Sequence, residues 1–170
     1  MVETVLFSMA AVLIIQRLVE LRIAARNRRY ILEHGGQEFN PEHYPLFLLL
    51  HTGWFISWMY EAVLINQLNS SWPIWLGLFV MAQGLRYWCI TSLGRCWNTR
   101  ILIIPGKKRI QQGPYRLIPH PNYLAVCLEL ACVPLMFGAV ATAIIASLLN
   151  AILLIGIRIP AEEKALQQLR

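Results

Sequence analysis

Eleven residues, Gly113-Pro-Tyr-Arg-Leu-Ile-Pro-His-Pro-Asn-Tyr123, combine the groups needed to bind a polar, charged small molecule. They stand where a basic stretch runs into an apolar tract. Tyr115 and Tyr123 offer flat faces to a ring or to a cation such as a sulfonium, because an aromatic face attracts positive charge. His120 offers a hydrogen bond to a ribose or an amino acid group. Gly113 permits close approach of backbone to a ligand, and Pro114 and Pro121 stiffen the connection. A second unusual segment, Arg158-Ile-Pro-Ala-Glu162-Glu163-Lys-Ala-Leu166, closes the last apolar run. If a helix persists through Pro160, Arg158 and Glu162 share a face at i, i+4. That spacing fits a solvated helix end with a salt bridge as well as it fits a ligand site.

The elements that position these residues must lie in a membrane. Of 170 residues, 57% are hydrophobic and only 14% charged, against about a quarter charged in soluble domains. Mean hydropathy is +0.51. A spanning helix needs about 20 mostly apolar residues, and the stretches Val2 to Leu21, Pro45 to Leu68 and Trp72 to Leu93 qualify. The apolar tract from Tyr123 to Ile159 is too long for one span. Pro134 and Gly138 interrupt it, so it reads as a helical hairpin turning near Phe137-Gly138. Its first arm would rise only about 20 Å, short of the hydrocarbon core. The predicted fold is therefore an all-α integral membrane domain of about five transmembrane helices, the last two a hairpin, with a pocket for a polar small molecule at the membrane face. One domain covers 1–170: three N-terminal spans in 1–94 and a second half, 95–170, that carries both unusual segments.

The net charge of +6 falls in two clusters read as loops: Arg22, Arg26, Arg28 and Arg29, then Arg95, Arg100, Lys107, Lys108, Arg109 and Arg116. The connection Asn69-Ser70-Ser71 carries none. The positive-inside rule then puts the N-terminus outside and both basic stretches in the cytoplasm of a bacterial-type cell membrane. No basic stripe with interleaved aromatics points to nucleic acid. The first apolar stretch lacks a basic flank and a cleavage motif, which predicts a retained helix. Between Arg95 and Gln112, Thr99 to Ile104 followed by Pro105-Gly106 reads as a short extended segment and a turn. The four cysteines form no CxxC pair and read as packing residues, and no metal site is expected for want of clustered ligands.

Several ionisable residues stand inside spans, where each costs at least ~2.5 kcal/mol at the bilayer centre. Arg17 and Glu20 can pair at i, i+3. Arg86 and Glu129 can pair with each other or line a polar pocket. His51 suits hydrogen-bonded packing or a ligand role, and Glu61 a solvated or paired outer end.

GPYRLIPHPNY resembles the G-x-Y-x-x-x-R-H-P-x-Y signature of the isoprenylcysteine carboxyl methyltransferase family, and RIPAEEKAL is similar to its closing R-x-x-x-E-E-x-x-L. The resemblance covers the chain from Arg86 onward. Arg17-Leu-Val-Glu20-Leu and His43-Tyr-Pro look like a bacterial branch, some of whose members methylate long-chain alkylpyrones. The resemblance implies a membrane enzyme that transfers a methyl group from S-adenosylmethionine, leaving S-adenosylhomocysteine. Carried over by position, Lys107, Lys108, Arg109 and Ile110 would line the cofactor through backbone. Tyr115, His120, Pro121, Asn122 and Tyr123 would contact it, and Glu162 would hold its amino acid end. Arg158 matches the catalytic position that meets the acidic group of the substrate, and Arg100 aligns with a family glutamine. Where the family has R-H-P, this chain has Pro119-His120-Pro121, with Arg116 as a possible substitute. It ends at Arg170 without the aromatic and acidic tail usual in members that act on isoprenylcysteine.

The function expected is O-methylation of an anionic oxygen, a carboxylate or an acidic enol, on a lipophilic or prenylated substrate drawn from the bilayer. Membrane lipids are the expected surroundings. Phospholipid N-methylation, nicotinamide-dependent reduction in a similar architecture, and a non-enzymatic scaffold or transporter are the competing expectations.

Overall fold

The computed structural model describes residues 2–169, and the terminal Met1 and Arg170 lie outside them. Six helices follow in order: α1 Val2–Glu33, α2 Tyr44–Ile65, α3 Trp72–Leu93, α4 Pro121–Met136, α5 Val140–Leu153 and α6 Ile159–Leu166. A two-stranded antiparallel ribbon, β1 Gln37–Phe39 with β2 Ile101–Ile103, ties the α1–α2 connection to the segment after α3. Among the described residues three helical stretches are long and apolar enough to cross a membrane: Val2–Glu33, Pro41–Ile65 and Val140–Leu166. Pro121–Met136 is apolar but shorter.

Helix α1 differs from its expected bounds. It runs twelve residues past Leu21 to Glu33, so Arg22, Arg26, Arg28 and Arg29 are helical and not in a loop. Arginine, alanine and leucine are strong helix formers, and nothing stops the helix until Gly35 adopts φ 76°. Its buried residues Leu6, Ala10, Leu13, Gln16, Glu20, Ala24, Asn27 and Ile31 form one stripe at three- and four-residue spacing. That stripe faces the bundle. Helix α2 starts with Pro45 in its first turn and stops earlier than expected, at Asn66 in the left-handed region. Helix α3 keeps the bounds read from the sequence. The segment Ile101–Ile103 is extended, as the β-branched run before Pro105-Gly106 suggested, and all three residues are buried. Its partner β1 had no comparable signal.

The main core joins Leu6, Ala10 and Leu13 of α1 to Trp54 and Trp58 of α2, and to Leu130, Val133, Met136 and Phe137 at the end of α4. Trp58 stacks on Phe137 with centroids 5.5 Å apart. Large apolar side chains face outward elsewhere: Leu49 is 72% exposed and Ile155 71%. A bilayer, not water, suits such a surface.

Two prolines inside apolar helices are accommodated differently. Pro134 cannot donate to Leu130 O, four residues back, and that carbonyl is free within the helix. The Trp54 indole donates to it at 3.0 Å, so the packing of α2 on α4 repairs the gap. Pro160 follows one wide turn, Leu154–Arg158, in which Ile159 N–H bonds Leu154 O five residues back. The wide turn lets one helical path continue from Val140 to Leu166 and puts Arg158 and Glu162 in the same run. Glu61 is half-buried and has no ion pair among the described residues. Its carboxylate accepts from the amide of Thr142 at 3.0 Å and from the Thr142 hydroxyl at 2.7 Å, capping α5.

Trp54→Phe leaves Leu130 O unpaired in an apolar core and is expected to lower stability by about 1–3 kcal/mol. Adding Pro134→Ala restores the amide donor and should recover part of the loss. Unfolding followed by circular dichroism in detergent micelles checks both, and equal stability of Trp54→Phe and wild type contradicts the account.

Candidate functional site

The polar end of the bundle is assembled from α4, α6 and the loop after β2. Gly113 sits at φ 59°, and a Cβ there would meet Ser92 Oγ at 2.0 Å and Trp88 Nε1 at 3.0 Å. The close approach that demands glycine here is to α3. The turn Gly113–Arg116 carries Tyr115 inward, and α4 begins at Pro121, with its missing N–H at a position that needs none.

At the start of α4 four side chains meet. The Tyr123 hydroxyl donates to Glu162 and accepts from Arg158 Nε at 3.1 Å. Arg158 and Glu162 therefore share a face, as the spacing predicts, but join through a phenol instead of bonding directly. Arg158 Nη2 also donates to Thr99 O at 3.0 Å, and the guanidinium lies 5.7 Å from the Phe47 ring. The His120 ring stacks on Tyr123, centroids 5.4 Å apart and 16° from parallel. Its Nδ1 is 3.8 Å from Glu162 and its Nε2 3.6 Å from Glu163. Burial, with Cys89 beside it, pushes the Tyr115 phenol above its ordinary range and keeps it neutral.

These groups border a cavity of about 520 Å³. Of the residues singled out by type and resemblance, Lys107, Lys108, Arg109, Ile110, Tyr115, His120, Asn122, Tyr123, Arg158 and Glu162 all line it. Pro121 does not; it is buried at the first turn of α4. Arg100 lines it too, stacked 4.0 Å over Tyr44 and bonded to Glu38 at 2.6 Å. Burial would raise the Glu38 carboxyl, but Arg100 and Arg28 hold it below its usual value.

The opposite end of the same cavity is a closed polar ring between α1, α3 and α4. Arg17 bonds Glu20 at 2.8 Å and Glu129 at 3.1 Å. Arg86 reaches Glu20 at 3.2 Å and Glu129 at 2.6 Å. Gln16 donates to Glu20 at 3.0 Å and to Gln83 at 2.6 Å, and Gln83 donates to Glu129 at 2.9 Å. Arg86, Glu20 and Glu129 are each at most 2% exposed. Two guanidiniums and two carboxylates match in number, which offsets the cost of burying them in an apolar surround. The Arg17–Glu20 and Arg86–Glu129 pairs follow from the sequence; the two glutamines that brace the ring were overlooked, since an uncharged amide in an apolar stretch gives little signal. His51, one turn beyond Phe47, also borders the cavity. Its Nδ1 donates to Phe47 O at 2.7 Å. Between the two ends the wall is apolar and open to the outside of the bundle: Ile14 and Leu18 of α1 and Leu48 of α2 line the cavity while being about half exposed.

A helical membrane bundle with a part-polar, part-apolar cavity is the class that fold and site define. The chain belongs to the isoprenylcysteine carboxyl methyltransferase family, whose pattern matches residues 75–168. It is 42% identical to the uncharacterized protein YpbQ of Bacillus subtilis (strain 168) over 161 residues, 93% of this chain and 94% of that one. No solved structure matches. Family membership makes the chain a membrane methyltransferase.

Arg86→Met leaves two buried carboxylates facing one guanidinium and is expected to destabilise by about 3–5 kcal/mol. The double variant Arg86→Met/Glu129→Met removes both charges and should cost less than Arg86→Met alone. Unfolding midpoints in detergent decide it; a double variant less stable than Arg86→Met would show that the two residues do not act as a pair.

Proposed function

We propose that this chain is an S-adenosylmethionine-dependent O-methyltransferase that methylates an anionic oxygen, a carboxylate or an acidic enol, on a lipophilic acceptor of isoprenylcysteine or alkylpyrone type. One observation carries the reading: a single cavity joins a cluster of aromatic and carboxylate groups at its polar end to an apolar wall open towards the bilayer. The polar end suits this cofactor. Glu162 can accept from a cationic amino group, Tyr115 is a neutral aromatic beside it, and His120 Nε2 is buried without a hydrogen bond. When bound, the cofactor supplies a sulfonium methyl group for in-line displacement.

The remaining work is positioning. Glu162 and Asn122 hold the polar portion, Tyr115 and the His120–Tyr123 stack flank it, and the Lys107–Ile110 backbone closes over it. Arg158 is fixed by Tyr123 and Thr99 through Nε and Nη2. Its Nη1 makes no hydrogen bond among the described residues and is free to hold an acceptor oxyanion. An acceptor that is already ionised needs no base, so alignment and exclusion of water carry the rate. The apolar wall takes the lipid tail. An oxyanion clamp suits this chemistry better than N-methylation, where the acceptor is a neutral amine. In this reading the bundle crosses the membrane five times, α4 and α5 forming a hairpin, with the N-terminus outside and the cofactor site cytoplasmic.

Two substitutions separate the roles. Glu162→Gln is expected to weaken S-adenosylhomocysteine binding by about 1.5–3 kcal/mol, read by calorimetric titration. Arg158→Ala should abolish methyl transfer while leaving that affinity within a few-fold, and Arg158→Lys should recover part at most, because a point charge does not reproduce a planar fork. Joint loss of affinity and turnover in Arg158→Ala would move Arg158 into the cofactor site. The orientation is checked by cysteine labelling at Ser70 and Gln111: reagent should reach them from opposite sides, and labelling from one side contradicts the five-span reading.

A further inference from the structure

Away from the cavity, α1 carries a second basic feature. Arg26, Arg29, Tyr30 and Glu33 follow at i, i+3, i+4 and i+7, one stripe on one face. With Asn27, and with Arg95 from the turn after α3, they line a cleft of about 250 Å³. Three guanidiniums meet there against one carboxylate. None of Arg26, Arg29 and Arg95 has a carboxylate partner within ion-pair distance among the described residues, in contrast to Arg17, Arg28, Arg86 and Arg100. The cleft is held open by its framework. The Asn27 amide donates to Gly94 O at 3.1 Å and to Trp97 O at 2.7 Å, and Asn98 donates to Ala24 O at 2.7 Å. These bonds pin the turn bearing Arg95 to α1. Arg95 then lies 4.9 Å over the Tyr30 ring, which fixes its guanidinium plane beside the other two.

Position along α1 says what reaches this cleft. One and two turns before Arg22, α1 bears Leu18 and Ile15, 59% and 62% exposed, the surface of a helix in hydrocarbon. From Leu18 the helix reaches Arg22 after one turn and Arg26, the first residue of the cleft, after two, about 12 Å of rise. The cleft therefore stands at the level of lipid phosphates. We propose that Arg26, Arg29 and Arg95 form a binding site for the headgroup of an anionic phospholipid. Planar guanidiniums take phosphate oxygens in pairs, and the acyl chains of such a lipid lie along the outer face at Ile15, which does not line the cavity. A soluble phosphate ester has the same anion but lacks the chains.

The test uses the full chain in nanodiscs of phosphatidylcholine mixed with phosphatidylglycerol, released for native mass spectrometry. Wild type should retain phosphatidylglycerol over phosphatidylcholine. Arg26→Gln/Arg29→Gln/Arg95→Gln should lose that preference on the order of a hundredfold, each guanidinium near an anionic surface contributing about fivefold. Lys164→Gln, which removes a cation elsewhere, should retain it. Circular dichroism of each variant in phosphatidylcholine alone confirms that the helices are intact. Equal retention by the triple variant and wild type overturns the proposal. Displacement of phosphatidylglycerol by millimolar inorganic phosphate also overturns it, because the site would then recognise the free anion.

Discussion

Ionised groups in hydrocarbon have to cancel one another, and in this protein they do so at one place. Glu20, Arg86 and Glu129 are almost wholly buried, and with Arg17, Gln16 and Gln83 they form a ring in which each charge meets its opposite. Such a ring adds little net stability compared with apolar packing of the same volume. What it imposes is register. A shift of α1 by one residue, or rotation of α4 away from α3, leaves a buried charge unmatched, so alternative packings of three otherwise apolar helices become costly. The ring also forms one end of the cavity, and the distance from there to the Tyr123–Glu162 cluster is set by about two turns of α4.

The same economy appears in the backbone. Leu130 O loses its helical partner to Pro134 and gains Trp54, and the wide turn before Pro160 keeps α5 and α6 on one path. Both irregularities lie beside functional groups: the wide turn ends at Arg158, and Leu130 follows Glu129. Irregular backbone at membrane depth is tolerated where protein satisfies it, and here it sets the direction of Arg158 towards Thr99, Tyr123 and Phe47.

Much of the site was legible because it rests on residue types rare in apolar stretches. Tyr115, His120, Tyr123, Arg158 and Glu162 stood out by kind, and the spacing of Arg158 to Glu162 survived through Pro160. Other features depended on partners distant in the chain. Strand β1 is three residues long and exists because Ile101–Ile103 needs a neighbour. The length of α1 was misjudged because arginines were taken to end a span, whereas a helix ends at a stop such as Gly35. Gly113 was read as room for a ligand, and the group that a side chain there would strike, Ser92, lies twenty-one positions earlier. Gln16 and Gln83 carried no charge to draw attention, yet they add a second link between Glu20 and Glu129.

In the proposed reading the polar end of one cavity holds a sulfonium methyl donor beside a membrane-borne anionic oxygen on Arg158, with the acceptor's tail along the apolar wall. Incubation of the purified protein with methyl-labelled S-adenosylmethionine and a bacterial lipid extract, followed by mass spectrometry, addresses it directly. The account predicts label in an extractable lipophilic product whose added methyl is lost as a methyl ester or methyl enol ether is lost. Label found only on phospholipid amines, or no transfer from a protein that binds S-adenosylhomocysteine, would contradict it.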